Sequence, residues 1–100
     1  MYGTVARLRV KPSSLDQLRE HIDDYDRLTI PGLIHVTLYQ MESDPNEVYL
    51  VVLFRDRASY QGNARSVEQD DRYRVMRSLL VVDPEWHDGE VLVHRAHPPG

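Results

Sequence analysis

Two polar side chains of the sequence lie where they could bind a ligand or carry a proton. His35 stands between Ile34 and Val36. A neutral imidazole that faces a cleft could act as a base near pH 7, although such a histidine can also be a hydrogen-bonded core or interface residue. Asn63 follows Gly62 and could hold a ligand carbonyl, or it could mark the interruption of a helix. We treat His35 and Asn63 as candidate catalytic residues.

An aromatic pair near the C-terminus, Trp86 and His87, precedes the predicted last strand. The pair could close one end of a cleft over an aromatic substrate, or it could form a packed turn whose indole seals the end of the fold. We therefore include both residues in the predicted pocket. His87, His94 and His97 are spaced for no standard metal site, so we predict no metal.

The composition argues against several classes of function. The 100 residues fit one domain, and 41% apolar residues suffice for a core. The absence of cysteine excludes disulfides, thiolate nucleophiles and cysteine-ligated metals. A net charge of −4 without a basic run disfavours nucleic-acid binding, and no apolar stretch approaches the about eighteen residues of a membrane span. We expect a cytoplasmic protein with neither a nucleic acid nor a membrane as partner.

Hydropathy patterns predict the elements that would position these side chains. Alternation predicts strands over 2–10, 33–42 and 89–95, and an apolar run predicts another over 48–54. Helical spacing predicts helices over about 14–28 and 68–80. Asp56 can cap a short helix that Gly62 and Asn63 interrupt. The order β-α-β-β-α-β is typical of a ferredoxin-like α+β fold, an antiparallel sheet with helices on one face.

The same pattern predicts how the chain is organised. We expect a single domain over residues 1–96 and a loose tail at 97–100. Two helices cover only one face of four strands, whereas the apolar run at 48–54 indicates a strand covered on both faces. A second copy packed sheet against sheet is the simplest cover, so we predict a homodimer. Arg7 and Arg9 share one strand face and could bind an anionic substrate or pair with carboxylates across that dimer; we favour the dimer pairing.

Four segments give the sequence a resemblance to a known family. They are RVKP at 9–12, IPGL at 30–33, FRDRASY at 54–60 and PEWHDG at 84–89. Over about residues 2–95, the chain resembles the antibiotic biosynthesis monooxygenase domains of the dimeric α+β barrel superfamily. The resemblance implies the ferredoxin-like fold and a dimer. It also implies relatives that include cofactor-free quinol oxygenases and heme-degrading enzymes.

The resemblance singles out Tyr60 as a further candidate. In the quinol-oxidising branch a Tyr lies six residues after a Trp, whose position here holds Phe54, and an Asn of that branch is replaced by Leu50. Tyr60 could donate a hydrogen bond to a bound phenol or act as a general acid–base, or it could pack against the sheet with its hydroxyl in water. In the heme-degrading branch a His position holds Tyr73, so no axial ligand is supplied and we expect no cofactor.

These observations lead to one hypothesis and one alternative. We predict a cofactor-free monooxygenase that holds a small aromatic or quinol substrate between sheet and helices. The predicted catalytic residues are Tyr60, Asn63 and His35, and the predicted pocket wall is Leu50, Phe54, Tyr73, Trp86 and His87. The alternative is a non-catalytic, small-molecule-binding or stress-associated dimer. Leu50 and Phe54 favour that alternative, because an apolar pocket can bind a ligand without reacting.

Overall fold

The computed structural model of the chain describes residues 1–99 and has the predicted ferredoxin-like α+β fold. Its elements are β1 (Tyr2–Arg9), α1 (Leu15–Asp23), a short 3-10 helix (Asp24–Arg27), β2 (Leu33–Gln40), β3 (Glu47–Phe54), α2 (Arg57–Ala64), α3 (Val67–Ser78) and β4 (Glu85–Glu90). The four strands form one antiparallel sheet in the order β2-β3-β1-β4. Helices α2 and α3 together take the place of the second helix.

The core lies between one face of this sheet and helices α1 and α3. Ala6 and Leu8 of β1 are fully buried there, against Leu18 of α1 and Met76 of α3. Because strand side chains alternate between the two faces, the register assigns every strand residue to one side. We call the side with Thr4, Ala6, Leu8, Val36, Leu38, Leu50, Val52, Phe54, Trp86 and Asp88 the helix face. The opposite side, with Val5, Arg7, His35, Thr37, Tyr39, Tyr49, Val51 and His87, is the open face.

The turn into β2 is tied to the start of α2. Gly32 has a φ of 79°, a left-handed conformation that favours glycine. Its carbonyl accepts a hydrogen bond of 2.7 Å from the backbone N–H of Arg55. The side chain of Asp56 caps α2, as predicted, by accepting a hydrogen bond of 2.8 Å from the N–H of Ser59. These bonds fix the first turn of α2 against the sheet, directly before Tyr60.

The break between helices α2 and α3 lies further along the chain than the sequence suggested. The predicted interruption at Gly62 and Asn63 is wrong, because α2 continues to Ala64. The division comes at Ser66, whose hydroxyl accepts a hydrogen bond of 3.1 Å from the N–H of Gln69 and begins α3. Asn63 is therefore held on a helical turn at the end of α2.

The last strand lies earlier than the predicted range of 89–95. It covers Glu85–Glu90 and pairs with β1. The N–H of Val91 still donates to the carbonyl of Met1 at 2.9 Å, just past the last β1–β4 pair, which joins Tyr2 and Glu90. Leu92 and Val93, which alternation placed in the strand, are 92% and 74% exposed. Trp86 and His87 accordingly lie within β4 and not in a turn before it.

The structure leaves untested the predicted domain boundary, the predicted loose tail and the predicted cellular location. No helix within residues 1–99 is long and apolar enough to cross a membrane. The domain boundary at residue 96, the loose tail at 97–100 and the cytoplasmic location stay predictions. The final residue of that tail, Gly100, lies outside the described residues.

Candidate functional site

A cavity of about 330 Å³ opens between the helix face of the sheet and the helices. Strand side chains form its floor, and most of its walls are apolar or aromatic. The aromatic side chains that line it are Tyr25, Phe54, Tyr60, Tyr73 and Trp86. The ring centroids of Tyr73 and Trp86 lie 6.3 Å apart, and those of Phe54 and Tyr60 lie 5.6 Å apart. Ligand pockets commonly have volumes of about 300–1,000 Å³, so this cavity suits a small, flat, aromatic molecule. We call it the aromatic cavity.

Most of the residues predicted for the site line this cavity. They are Leu50, Phe54, Tyr60, Asn63, Tyr73 and Trp86. The residues come from three separated parts of the sequence, namely β3, the two short helices and β4. Antiparallel pairing places Trp86 opposite Ala6 of β1, on the same face as the β3 residues. The fold therefore brings the predicted residues together at one end of the sheet.

His35 and His87 do not belong to this group, and their predicted places in the cleft are wrong. Val36 packs on the core, so alternation turns the preceding His35 to the open face. Its ring lies 5.5 Å from that of His94. His87 stands opposite Val5 in the register and also faces away from the helices. Within residues 1–99, no group of three His, Asp or Glu side chains could hold a metal ion.

A phenol and a carboxylate meet at the edge of the aromatic cavity. The hydroxyl of Tyr60, on α2, donates a hydrogen bond of 2.7 Å to Oδ1 of Asp88, on β4. Burial raises the pKa of Tyr60 far above its ordinary range, and the hydrogen bond to Asp88 raises it further. At neutral pH the Tyr60 phenol is therefore a firm hydrogen-bond donor. The Asp88 carboxylate, which is exposed on the cavity side, is the group of the pair that can accept a proton.

The floor of the cavity contains a hydroxyl that has no partner within residues 1–99. Thr4 is only 4% exposed, and its Oγ1 makes no hydrogen bond to any described residue. It lies opposite Asp88 in the β1–β4 register. A buried polar group without a partner costs about 1–3 kcal/mol, so an oxygen of a ligand in the cavity could gain from pairing with it.

Asn63, one helical turn after Tyr60 on α2, takes part in a hydrogen-bonded cluster beside the cavity. Its Oδ1 accepts a hydrogen bond of 3.1 Å from Nη2 of Arg72, and its Nδ2 donates to Oε1 of Gln69 at 3.4 Å. Nε of Arg72 donates to the same Gln69 oxygen at 3.0 Å. The guanidinium lies over the ring of Tyr25, 5.7 Å from its centroid. The Asn63 side chain therefore positions Arg72 as well as lining the cavity.

Sequence reasoning missed four members of the site. Thr4 and Asp88 were not singled out in the sequence, and the register of β1 against β4 shows that they meet. Gln69 and Arg72 stood in the predicted second helix, where polar residues usually face solvent. The spacing of three residues between Gln69 and Arg72, close to one helical turn, was the signal that could have linked them.

Comparison with known proteins agrees with this fold. The chain matches the family model for antibiotic biosynthesis monooxygenase over residues 1–71. The protein therefore belongs to the antibiotic biosynthesis monooxygenase family. The matched part includes Tyr60 and Asn63, whereas Trp86 and Asp88 lie beyond it. No curated protein sequence matches the chain significantly.

Solved structures share the whole architecture at low sequence identity. A conserved protein from Methanosarcina mazei superposes with a TM-score of 0.77 at 19% identity, covering 88% of this chain and 89% of that one. SnoaB, a cofactor-independent oxygenase from Streptomyces nogalater, gives 0.75 at 14% identity, over 93% and 94% of the two chains. A further antibiotic biosynthesis monooxygenase gives 0.72 at 15% identity, over 93% and 100%. These similarities establish a shared fold.

Proposed function

We propose that the protein is a cofactor-free monooxygenase that oxidises a small hydroxylated aromatic compound, such as a quinol, in the aromatic cavity. The observation that carries this proposal is the Tyr60–Asp88 hydrogen bond at the edge of a cavity lined by aromatic side chains. A proton acceptor, a proton donor and a flat apolar binding surface lie together there. Membership of the family, and the fold shared with a cofactor-independent oxygenase, support the same reaction class.

The proposed reaction needs dioxygen and no other reagent. A benzenediol and one dioxygen molecule give a hydroxyquinone and one water molecule. One oxygen atom forms a new C–O bond at a ring carbon that loses its hydrogen, the O–O bond breaks, and the other oxygen atom leaves as water. The quinol supplies all four electrons that reduce the two oxygen atoms. The protein must therefore bind the quinol, remove its proton and exclude water.

Three parts of the cavity would divide these tasks. The Asp88 carboxylate would accept the proton of the substrate hydroxyl, which makes the ring electron-rich enough to react with dioxygen. Tyr60, kept protonated by burial and by Asp88, would donate a hydrogen bond to the substrate oxygen. The side chains of Leu50, Phe54 and Trp86 would exclude water from the reacting ring.

Oxygen consumption tests this proposal. The purified protein is incubated with a panel of hydroquinones and dihydroxynaphthalenes, beside buffer alone and the Tyr60→Phe variant. We expect uptake above buffer with at least one compound and a loss on the order of 100-fold in Tyr60→Phe. Tyr39→Phe, which removes a hydroxyl from the open face, is the matched control and should retain activity. Uptake no faster than buffer for every compound, or equal uptake by Tyr60→Phe, would reject the proposal.

The cavity floor favours a second candidate, a protein that binds an aromatic ligand without oxidising it. Leu50 and Phe54 present only carbon to the ligand, and Thr4 offers a hydroxyl that can bind but not react. Calorimetry separates the two candidates. Binding of a dihydroxynaphthalene under anaerobic conditions, without oxygen uptake when air is admitted, would support the binding protein.

We also propose that the protein is a homodimer joined through the open face of the sheet. Val5 is 44% exposed and Tyr39 55% exposed on that face. The charge of Arg7 is already balanced within its own chain, by Glu47 at 2.6 Å and Glu85 at 3.1 Å. Arg7 therefore has carboxylate partners without a second copy, and pairing across the dimer stays a prediction. The balanced charge leaves a face that a second copy can cover at a lower electrostatic cost.

A further inference from the structure

A second cavity adjoins the aromatic cavity on its outer side. Its volume is about 550 Å³, and it lies between the 28–31 segment and the helices α2 and α3. We call it the outer groove; its lining includes Ser59, Gly62, Ser66, Glu68 and Arg72. Ile30 and Asn63 line both the outer groove and the aromatic cavity. The cluster formed by Asn63, Gln69 and Arg72 therefore stands at the boundary between the two.

Among the described residues, three arginines are half-buried, and Arg72 is the one of them without a carboxylate partner, since Arg7 and Arg77 both form ion pairs. The hydrogen bonds of Arg72 go to the neutral amides of Gln69 and Asn63. Within residues 1–99, no carboxylate oxygen lies within 4.0 Å of its guanidinium, whereas Arg77 pairs with Asp83 at 2.7 Å. Removing a charge from water without a counter-ion is unfavourable. The Tyr25 ring, 5.7 Å from the guanidinium carbon, offsets this only in part, because a cation–π contact is weaker than an ion pair in the same place.

We propose that the ligand of the aromatic cavity carries an anionic oxygen, either a carboxylate or a phenolate, and that Arg72 binds it. This inference rests on the proposed function in one respect, namely that the ligand binds in the same cavity. It concerns the binding of the ligand and not its oxidation. A guanidinium has five N–H donors, and the cluster occupies two of them. The remaining donors can reach an oxygen at the boundary with the outer groove, while the aromatic body of the ligand lies against Tyr25.

Nearby acidic residues do not cancel this preference. Glu68 lines the outer groove and Asp70 lines the aromatic cavity, but both are exposed to solvent. Water and salt screen exposed charges more strongly than a half-buried one. Asp88 lies on β4 and accepts the hydrogen bond of Tyr60. The charge of Arg72 is thus the nearest one for an anionic group beside Asn63.

Calorimetry with two matched ligands tests the inference. Naphthoate and its methyl ester have the same rings, but only naphthoate carries a charge. We expect the wild-type protein to bind naphthoate about 10-fold or more tightly than the ester, because a hydrogen bond to a charged group contributes about 1.5–3 kcal/mol. Arg72→Gln should abolish this preference. Arg74→Gln, which removes an exposed arginine from the same helix, should keep it.

The wild-type comparison decides the matter even if Arg72→Gln does not fold. Equal affinity for naphthoate and ester, no binding of either at millimolar concentration, or a preference that survives Arg72→Gln would overturn the inference. Naphthol separates the two sources of the anion. The absorption band of naphtholate, appearing on binding at a pH where free naphthol is neutral, would assign a phenolate, and its absence beside tight naphthoate binding would assign a carboxylate. Oxygen uptake is a separate readout, so failure of the oxygenase proposal is distinguishable.

Discussion

At the level of single residues, the candidate site depends on the hydrogen bond between the Tyr60 hydroxyl and the Asp88 side chain. Tyr60 is a phenol that burial and Asp88 keep neutral, and its hydroxyl donates this hydrogen bond to the Asp88 side chain. Such a charge-assisted hydrogen bond is stronger than a neutral one and orients both groups. The pair can therefore offer a donor and an acceptor to one substrate hydroxyl. Of the two roles considered for Tyr60, we therefore expect the donation of a hydrogen bond to the substrate and not general acid–base catalysis.

Alkaline titration tests the environment of Tyr60. The chain has six tyrosines, and burial raises the pKa of Tyr60 and Tyr25 above the ordinary value of 10.0. Tyrosinate absorbance should therefore show two tyrosines that ionise later than the rest, and Tyr60→Phe should remove the latest step. Because the unfolded chain ionises these phenols first, the free energy of unfolding should fall as the pH rises above about 10. Simultaneous ionisation of all six would contradict this.

The sequence predicted residues of the site better than it predicted their roles. Tyr60 and Trp86 both line the aromatic cavity, and the segment that carries Tyr60 lies within the part of the chain that matches the family model. Thr4 and Asp88 escaped notice because their meeting depends on strand register, which is a contact between distant parts of the chain. His35 was misplaced because alternation fixes two faces but does not say which one meets the helices.

At the scale of elements, the turn before β2 and the first turn of α2 hold the site in place. Gly32 can take its left-handed conformation because it has no Cβ, and a Cβ there would lie 2.5 Å from Cβ of Ser59. That close approach lets the turn pack against α2, one residue before Tyr60. The same element carries Asn63, so a shift of α2 would move both polar groups of the cavity.

Two glycine substitutions test this arrangement. Gly32→Ala should lower the free energy of unfolding by about 1–3 kcal/mol, because alanine is strained at positive φ and would displace Ser59. Gly62→Ala is the matched control within α2, where no other side chain lies within 4 Å of the added Cβ. It should raise stability by about 0.5–1 kcal/mol. Urea denaturation measures both, and an unchanged midpoint for Gly32→Ala would show that the turn is not constrained.

Sequence patterns located the elements well where periodicity and capping agree. The helix capped by Asp56 and the strand beginning near Leu33 lie where they were expected. The β4 strand was displaced because Leu92 and Val93 continue an alternating pattern after the partner strand has ended. Hydropathy indicates which residues prefer burial, whereas the bounds of β4 depend on which of its residues form hydrogen bonds with β1.

At the scale of the whole molecule, the sheet has one face covered by helices and one that carries exposed apolar side chains. On that open face, Val5 and Tyr39 are each more than 40% exposed. Leu92 and Val93 extend from the neighbouring end of β4, almost fully in solvent. Apolar side chains concentrated in this way are typical of protein–protein contact surfaces. The aromatic cavity is on the other side of the sheet, so a second copy on the open face would leave it accessible.

The oligomeric state tests the use of the open face. Light scattering at micromolar concentration should give twice the mass of the chain. Val5→Asp should shift the protein to the monomer, because it buries a charge in the proposed contact. Val75→Asp, at an exposed position of α3, is the control and should remain a dimer. A wild-type monomer at this concentration would contradict the proposal.

We propose that the Asp88–Tyr60 pair supports the insertion of one oxygen atom from dioxygen into a bound quinol. The most direct measurement is the mass of the product formed under heavy-isotope dioxygen by wild-type protein, Asp88→Asn and Asp71→Asn. Asp71 is an exposed carboxylate on α3 and serves as the matched control. We expect wild type and Asp71→Asn to form a hydroxyquinone that carries one heavy oxygen atom. Asp88→Asn should form at least about 100-fold less of this labelled product. Unlabelled product, or equal labelled product from all three proteins, would contradict this proposal.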